Sequence, residues 1–173
     1  MKIINIIGWS GSGKTTLVLK LINDKKNRNK SISTMKHAHH DFEIDKPGKD
    51  SYKHRSAGAR EVLISSSKRW ALISENNLNS DINLQYLISR IKPVDVLIIE
   101  GWKYSNLKKI EVYRPELGKP RITNNSDNVV AIATNSENIL ISKKIPIFNL
   151  NDVNSICDFI LKLEENIFNG SVN

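Results

Sequence analysis

Two nearly continuous apolar runs mark the chain, one at residues 3–7 and one at residues 94–100. Such runs, rich in Ile and Val, are typical of strands buried on both faces of a parallel sheet. The first run leads through glycines into an amphipathic helix that fades at residues 23–27, and a second strand is predicted at 31–36. This order predicts a βαβ unit and a parallel sheet. The apolar residues at helical spacing are Leu17, Val18, Leu21 and Ile22.

The rest of the chain alternates short strands and helices, separated by turns rich in Pro, Gly, Asn and Ser. The predicted elements are a helix that Asp50 or Ser51 caps and that runs to about Ala59, an antiparallel hairpin of strands at 61–65 and 69–74, a helix at 84–91 that Pro93 stops, strands at 109–113, 129–134 and 145–150, and a final helix that Asp152 or Asn154 opens.

The 173 residues are most simply one domain, which we place at residues 1–168 with a flexible tail at 169–173. No apolar run approaches the ~20 residues that cross a bilayer, and the apolar start is too short for a signal peptide. The single cysteine, Cys157, excludes an internal disulfide framework and favours a reducing cytoplasm. Cys157 lies on the apolar stripe of the last predicted helix, so we expect it to fill the core.

The net charge of +8, from 26 basic and 18 acidic residues, favours anionic partners. The basic residues are scattered, and aromatic residues do not alternate with them as they do on a base-stacking surface. The composition therefore favours phosphorylated ligands and an acidic protein partner over nucleic acid, and no membrane partner is predicted. General solubility is the alternative explanation.

The glycine-rich stretch after the first strand matches the phosphate-binding pattern G-x-x-x-x-G-K-[ST] at residues 8–15. It joins a strand to a helix, which is the context that this motif needs. Backbone N–H groups are expected to bind phosphate oxygens, with Lys14 at the β- and γ-phosphates and the Thr15 hydroxyl on Mg²⁺. The residues assigned to nucleotide binding on this basis are Gly8, Ser10, Gly11, Ser12, Gly13, Lys14 and Thr15.

Glu100 is the candidate acidic partner for Mg²⁺, together with Thr15. It ends the second apolar run, and ligands bind at the carboxyl edge of an open α/β sheet. Asp95 begins the same run, roughly 17 Å away at ~3.3 Å per residue, so both acids cannot contact one ion. Strand direction therefore favours Glu100.

A cluster of His37, His39, His40 and Asp41 follows the second predicted strand. Its residue types permit a zinc site, although the chain has only one further histidine, His54, and one cysteine. A switch segment near the γ-phosphate and Mg²⁺ is the interpretation we favour. An ordinary polar loop has the same pattern.

Two further places carry candidate ligand-binding residues. Asp50 and Arg55 belong to a charged segment that could order around the nucleotide, bind a second phosphorylated ligand, or form a solvated helix face. Asn135 and Glu137 weakly resemble the guanine-reading [NT]-K-x-D motif of GTPases, with Asn for Lys and Glu for Asp. A carboxylate there would accept hydrogen bonds from guanine N1 and N2, which favours GTP as the nucleotide.

Taken together, six segments resemble the molybdopterin-guanine dinucleotide biosynthesis protein B family. The similarity extends over nearly the whole chain, as far as residues 151–153, and the central segment is far more specific than the phosphate-binding motif. The segments are GWSGSGKTT at 8–16, KHAHHD at 36–41, DKPGKDSY at 45–52, RSAGA at 55–59, RWAL at 69–72 and IIEGWK at 98–103.

The resemblance implies a GTP-binding protein that assists attachment of GMP to molybdopterin, beside the guanylyltransferase that performs the transfer. It also implies a homodimer, a weak intrinsic GTPase activity and Mg²⁺ as companion ion. Residue by residue, it adds Thr16 to the nucleotide-binding set and matches Glu100 and Gly101 to the acid-glycine strand end of the family. Family members often carry Asp at the position of Asn135. If that position reads guanine in the family, Glu137 would have to substitute for it here.

We therefore predict an α/β fold of the P-loop NTPase type. It is a three-layer sandwich with a mostly parallel sheet and an antiparallel hairpin, and residues 61–74 are the candidate dimer contact. The predicted function is that of a GTP-binding adapter in molybdenum cofactor guanylylation. The alternatives are a small-molecule kinase that uses the same loop, and a non-enzymatic carrier of the molybdenum cofactor.

Overall fold

The computed structural model describes residues 1–38, 42–76, 82–126, 128–137, 139–140 and 144–165. The chain divides into two compact units, the first formed by residues 1–37 with 92–173 and the second by residues 38–91. The strands are β1 (Lys2–Ile7), β2 (Ile32–Lys36), β3 (Glu61–Ser65), β4 (Trp70–Ser74), β5 (Val96–Glu100), β6 (Lys109–Tyr113), β7 (Val129–Thr134) and β8 (Ile147–Asn149). The α-helices are α1 (Lys14–Arg28), α2 (Asp50–Ser56), α3 (Leu84–Ser89) and α4 (Val153–Lys162).

The first unit is built on a six-stranded sheet in the order β2-β5-β1-β6-β7-β8. Every neighbouring pair in it is parallel. The two apolar runs become β1 and β5, which pair directly, with Ile4 opposite Ile98. All five residues of β5 are buried, as its apolar composition predicts. The parallel sheet is therefore confirmed, and no helix of the described residues is long and apolar enough to cross a bilayer.

One face of this sheet packs against α1 and α4, which also contact each other. Leu17 and Leu21 of α1 and Ile156 of α4 are almost fully buried there, in one cluster with side chains of β1, β5 and β6. Burial of each such side chain contributes ~1.5–3 kcal/mol. The Cys157 side chain is buried in this cluster, which confirms the prediction that it fills the core.

The opposite face buries polar side chains beneath the segment that connects β5 to β6. Asn5 and Lys109 are register partners on β1 and β6, with 0% and 1% of their surfaces exposed. Asn5 Nδ2 donates to the carbonyl of Trp102 at 3.0 Å and to Ser105 Oγ at 3.3 Å, and Lys109 Nζ donates to the Ser105 carbonyl. Burial lowers the pKa of Lys109. These two side chains fasten the connecting segment to the sheet.

Glu111, two residues farther along β6, is fully buried and anchors a second connection. Its carboxylate accepts hydrogen bonds from the backbone N–H groups of Ile122 and Thr123, at 2.7 and 2.8 Å, and from the Thr123 hydroxyl. Hydrogen bonds from several donors stabilise a buried carboxylate and offset the free-energy cost of removing it from water.

The helix ends in the first unit follow from local chemistry. Helix α1 continues past the polar stretch where it was predicted to fade and ends before Asn29, whose φ of 49° is the left-handed conformation typical of a helix end. Helix α4 begins after Asp152, whose side chain accepts from the N–H of Ser155 at 3.1 Å. This confirms one of the two predicted caps.

The second unit contains α2, α3 and the hairpin. Strands β3 and β4 are antiparallel, with Leu63 opposite Leu72, which confirms the hairpin. The capping prediction for α2 was wrong, because the cap is Lys49 in extended conformation and Asp50 is already the first helical residue. An acid there still interacts favourably with the positive end of the helix dipole. Helix α2 also ends at Ser56, before the predicted limit at Ala59.

Candidate phosphate-binding site

The Gly-rich loop (residues 8–13) leaves the carboxyl end of β1, near the middle of the sheet, and leads directly into α1. Because the strands are parallel, the residues that follow β2, β5, β6 and β7 lie along the same edge as this loop. This edge, with a helix N-terminus opening onto it, is where open α/β sheets bind ligands. The topology alone therefore gathers most of the predicted site residues of the first unit.

Two glycines fix the course of the loop. A Cβ on Gly8 would lie 2.5 Å from the carbonyl oxygen of Val112, so only glycine lets the loop pass this close to β6. Gly13 has φ 98° and ψ 16° and stands at the N-cap of α1 without any side-chain cap. The first N–H groups of α1 are therefore not satisfied by a capping side chain, and they are oriented to bind an anion.

Lys14 supplies the positive charge at the loop. Its Nζ donates to the Trp9 carbonyl oxygen at 2.9 Å, so the side chain folds back over the loop. Burial is the main cause that lowers the pKa of Lys14, the carboxylate of Glu100 opposes this shift, and the nearby ammonium groups of Lys103 and Lys36 add to it. Three lysines and one carboxylate therefore share the electrostatic field of the site.

Thr15 and Glu100 meet as the sequence predicts, since Thr15 Oγ1 donates to Glu100 Oε1 at 2.7 Å. Asp95, at the other end of β5, instead accepts hydrogen bonds from the backbone N–H and hydroxyl of Ser31. A hydroxyl and a carboxylate are hard oxygen ligands of the kind that Mg²⁺ prefers. No group of three or more His, Cys, Asp or Glu residues comes together among the described residues.

A tight turn follows Glu100 and brings His37 to the site. Gly101 and Trp102 both have positive φ, 107° and 36°. The Trp102 ring lies against the His37 ring, with centroids 4.7 Å apart. His37 thus packs beside the acid at the end of β5. The other predicted members of its cluster, His39, His40 and Asp41, lie outside the described residues, so their roles as switch or metal ligands stay predictions.

Three residues at the loop were not singled out from the sequence. Arg114, directly after β6, donates from Nε to the Ser12 carbonyl at 2.9 Å. Trp9 donates from Nε1 to the Pro120 carbonyl at 2.6 Å, and Lys103 Nζ lies 4.1 Å from the centroid of the Trp9 ring. The position of Arg114 at a strand end was the one available signal, because the ends of β1, β2, β5 and β7 at this edge carry candidate residues.

Asp50 and Arg55 lie in the second unit. Arg55 forms a bidentate pair with the buried carboxylate of Asp45, with Nη2 to Oδ1 at 3.0 Å, and also contacts Glu75 at 3.4 Å. Asp50 pairs with Lys53 on the exposed surface of α2. Arg55 therefore connects three segments of its own unit, and the ligand-binding roles proposed for Asp50 and Arg55 stay predictions.

Asn135 and Glu137 are exposed just beyond the end of β7. The turn that carries them is fixed by the Thr134 hydroxyl, which accepts from the Ser136 N–H at 3.1 Å. Both residues therefore lie at the same edge of the sheet as the Gly-rich loop, two strands away from β1.

A parallel sheet with a Gly-rich loop between its central strand and an uncapped helix defines a P-loop NTPase-like α/β protein. Solved structures agree with this fold. The chain matches the crystal structure of Bacillus subtilis MobB with a TM-score of 0.71 and 23% identity, over 93% of this chain and 96% of that one. A crystal structure titled molybdopterin-guanine biosynthesis protein B (mobB) matches with a TM-score of 0.69 and 24% identity, over 92% and 97%.

The sequence defines the family more narrowly. A sequence model of the family described as Molybdopterin guanine dinucleotide synthesis protein B, MobB, matches residues 3–135. The chain is 36% identical over 157 residues to the molybdopterin-guanine dinucleotide biosynthesis adapter protein of Escherichia coli, covering 89% of this chain and 88% of that protein. It is 35% identical over 160 residues to the adapter protein of the same name from Haemophilus influenzae, covering 91% and 86%. The chain belongs to the MobB family.

Proposed function

We propose that this protein is an adapter in molybdopterin guanine dinucleotide biosynthesis that binds GTP with Mg²⁺. The observation that carries the proposal is the contact of Thr15 with Glu100 at 2.7 Å, beside Lys14 and the uncapped start of α1. A site that binds a nucleoside triphosphate with Mg²⁺ combines backbone N–H donors and an ammonium group for the phosphates with hydroxyl and carboxylate oxygens for the ion. Ser10, Gly11, Ser12 and Thr16 complete the proposed phosphate-binding set.

GTP is the nucleotide we propose because Asn135 and Glu137 are exposed at the ligand-binding edge. A carboxylate such as that of Glu137 can accept from the guanine N1 and N2 groups, whereas adenine offers one exocyclic donor. Hydrolysis is proposed to be slow. An adapter needs the nucleotide to be bound and delivered, and Lys14, Thr15 and Glu100 serve binding as well as charge neutralisation.

The proposed partners are those that the resemblance to the family implies. They are a second copy of this chain, the guanylyltransferase that attaches GMP to the molybdenum cofactor, and molybdopterin or the cofactor itself. The hairpin is the proposed dimer contact, since it exposes a set of large apolar side chains that a partner surface would bury: Leu63, Ile64, Trp70 and Leu72. A cytoplasmic location is part of the proposal and agrees with a single cysteine.

The test is a calorimetric titration of the purified protein with GTP, ATP and GDP in the presence of Mg²⁺. The affinity for each nucleotide is measured with and without the guanylyltransferase. Lys14→Ala is expected to weaken GTP binding by about 10- to 150-fold, because a charge-assisted contact to phosphate is lost. It should also abolish stimulation of cofactor guanylylation. Lys20→Ala is the matched control, since Lys20 lies on α1 but bonds the Asn151 side chain at 3.0 Å. Unchanged GTP affinity in Lys14→Ala would refute the proposed role of the loop.

A further inference from the structure

Two ammonium groups meet at one residue of the Gly-rich loop. Lys14 Nζ donates to the Trp9 carbonyl at 2.9 Å, and Lys103 Nζ lies over the Trp9 ring, 4.1 Å from its centroid. The ring attracts a cation through its quadrupole, but this attraction is weaker than a hydrogen bond to phosphate. Lys103 is therefore held beside the loop by a contact that a phosphate group can replace.

The backbone that carries Lys103 is fixed. The two residues before it have positive φ, and the Trp102 carbonyl accepts from the Asn5 side chain at 3.0 Å and from the Ser105 N–H at 3.0 Å. Backbone held in sparsely populated conformations occurs preferentially at functional sites. Here the turn places Lys103 beside the Gly-rich loop, where its flexible side chain can reach an anion.

The positive charge at this edge of the sheet is larger than Lys14 alone would supply. Lys36 ends β2 opposite Glu100, so the site combines Lys14, Lys36 and Lys103 with a single carboxylate. Two positive charges are left in excess among these four groups. A magnesium-bound triphosphate is more negative than the corresponding diphosphate, and it therefore neutralises this excess better.

We propose that Lys103 is a second phosphate-binding lysine, which rests on the Trp9 ring and contacts the terminal phosphate of a bound nucleoside triphosphate. Lys103 then makes the site prefer the triphosphate over the diphosphate. This inference rests on the proposed function, because it assumes that the Gly-rich loop binds a nucleotide.

The experiment compares Lys103→Met with Lys108→Met, using calorimetry with GTP and with GDP in the presence of Mg²⁺. Lys108 belongs to the same connecting segment, but its Nζ lies 3.4 Å from Glu164 and away from the loop. Lys103→Met is expected to weaken GTP binding by about tenfold or more and GDP binding by less than about threefold, the difference being one charge-assisted contact. Lys108→Met should change neither affinity, and Lys103→Arg should keep most of the preference for GTP.

Urea midpoints, measured beside the titrations, check that each variant is folded. Equal losses for GTP and GDP in Lys103→Met, or no loss at all, would overturn the role of Lys103 and leave the proposed GTP binding intact. Wild-type protein that binds neither nucleotide would overturn both.

Discussion

Replacement of Gly101 by alanine tests how closely the ends of β2 and β5 pack at the candidate site. Gly101 has φ 107°, and a Cβ there would lie 2.8 Å from the Cβ of His37, closer than two such atoms can approach. His37 cannot move away freely, because its ring packs on Trp102 and its backbone N–H donates to the Glu100 carbonyl at 2.9 Å. The substitution therefore combines backbone strain with steric overlap.

Gly118 provides the matched control. Its φ of 61° and ψ of 17° are also left-handed, but a Cβ there would meet no atom within 4 Å. Gly118→Ala is expected to cost ~1 kcal/mol, since left-handed strain of ~1–2 kcal/mol is partly offset by the lower entropy of the unfolded chain. Gly101→Ala adds overpacking of ~1–3 kcal/mol to a rarer backbone conformation, so we expect a loss of ~3 kcal/mol in the free energy of unfolding.

The assay is equilibrium unfolding in urea at neutral pH, with the slope of the transition checked for each variant. A second readout is GTP affinity with Mg²⁺, which should fall in Gly101→Ala because Glu100 shifts, and should stay unchanged in Gly118→Ala. Equal unfolding free energies for the two variants would show that the overlap with His37 is relieved at no cost. That result would refute the argument that the site is rigid at the end of β5.

Two further predictions concern Arg114 and Asp95. Arg114→Met removes the hydrogen bond to the Ser12 carbonyl and should weaken GTP binding by about three- to tenfold while the free energy of unfolding falls by ~1 kcal/mol, as measured by calorimetry and urea unfolding; an unchanged GTP affinity would contradict a role in holding the loop. Hydrogen bonds from the side chain and backbone of Ser31, and then from Lys30, lower the pKa of Asp95 from 3.8 to about 2. Because the folded pKa is the lower one, this carboxylate stabilises the protein above about pH 4 and loses that effect as the pH falls through 2. The stability advantage of wild type over Asp95→Asn in urea unfolding should therefore shrink between these two pH values, and a constant difference would contradict the assignment.

The sequence was most informative where burial dictates composition. The apolar runs at 3–7 and 94–100 could become only central strands, and strand direction then placed Glu100, and not Asp95, at the loop. The P-loop pattern placed Lys14 and Thr15 correctly for a different reason, which is that the spacing of this motif reflects a particular backbone geometry. These inferences needed only local pattern and the parallel order of strands.

The sequence pattern did not predict burial correctly where a connecting loop covers the side chains of a strand. The alternation in β6 suggests that Lys109 and Glu111 face solvent, yet both are buried, since the connections that follow β5 and β6 cover that face. Lys103 lay within a segment that resembles the family, but nothing in its spacing indicated that it would reach the Trp9 ring. Contacts between loops depend on the tertiary fold, and periodicity carries no information about them.

The strand order has a consequence for synthesis of the chain. β1 is flanked by β5 and β6, and β2 pairs with β5, so neither of the first two strands has a neighbour until about residue 100 has been made. In a nascent chain, the Ile-rich β1 therefore stays unpaired until β5 has been synthesised, and the whole second unit is synthesised before β5. Pairing across such long separations is slow, and during that delay β1 is a hydrophobic segment with unpaired backbone groups. Recombinant yield should for this reason respond to growth temperature and to chaperones that shield such segments.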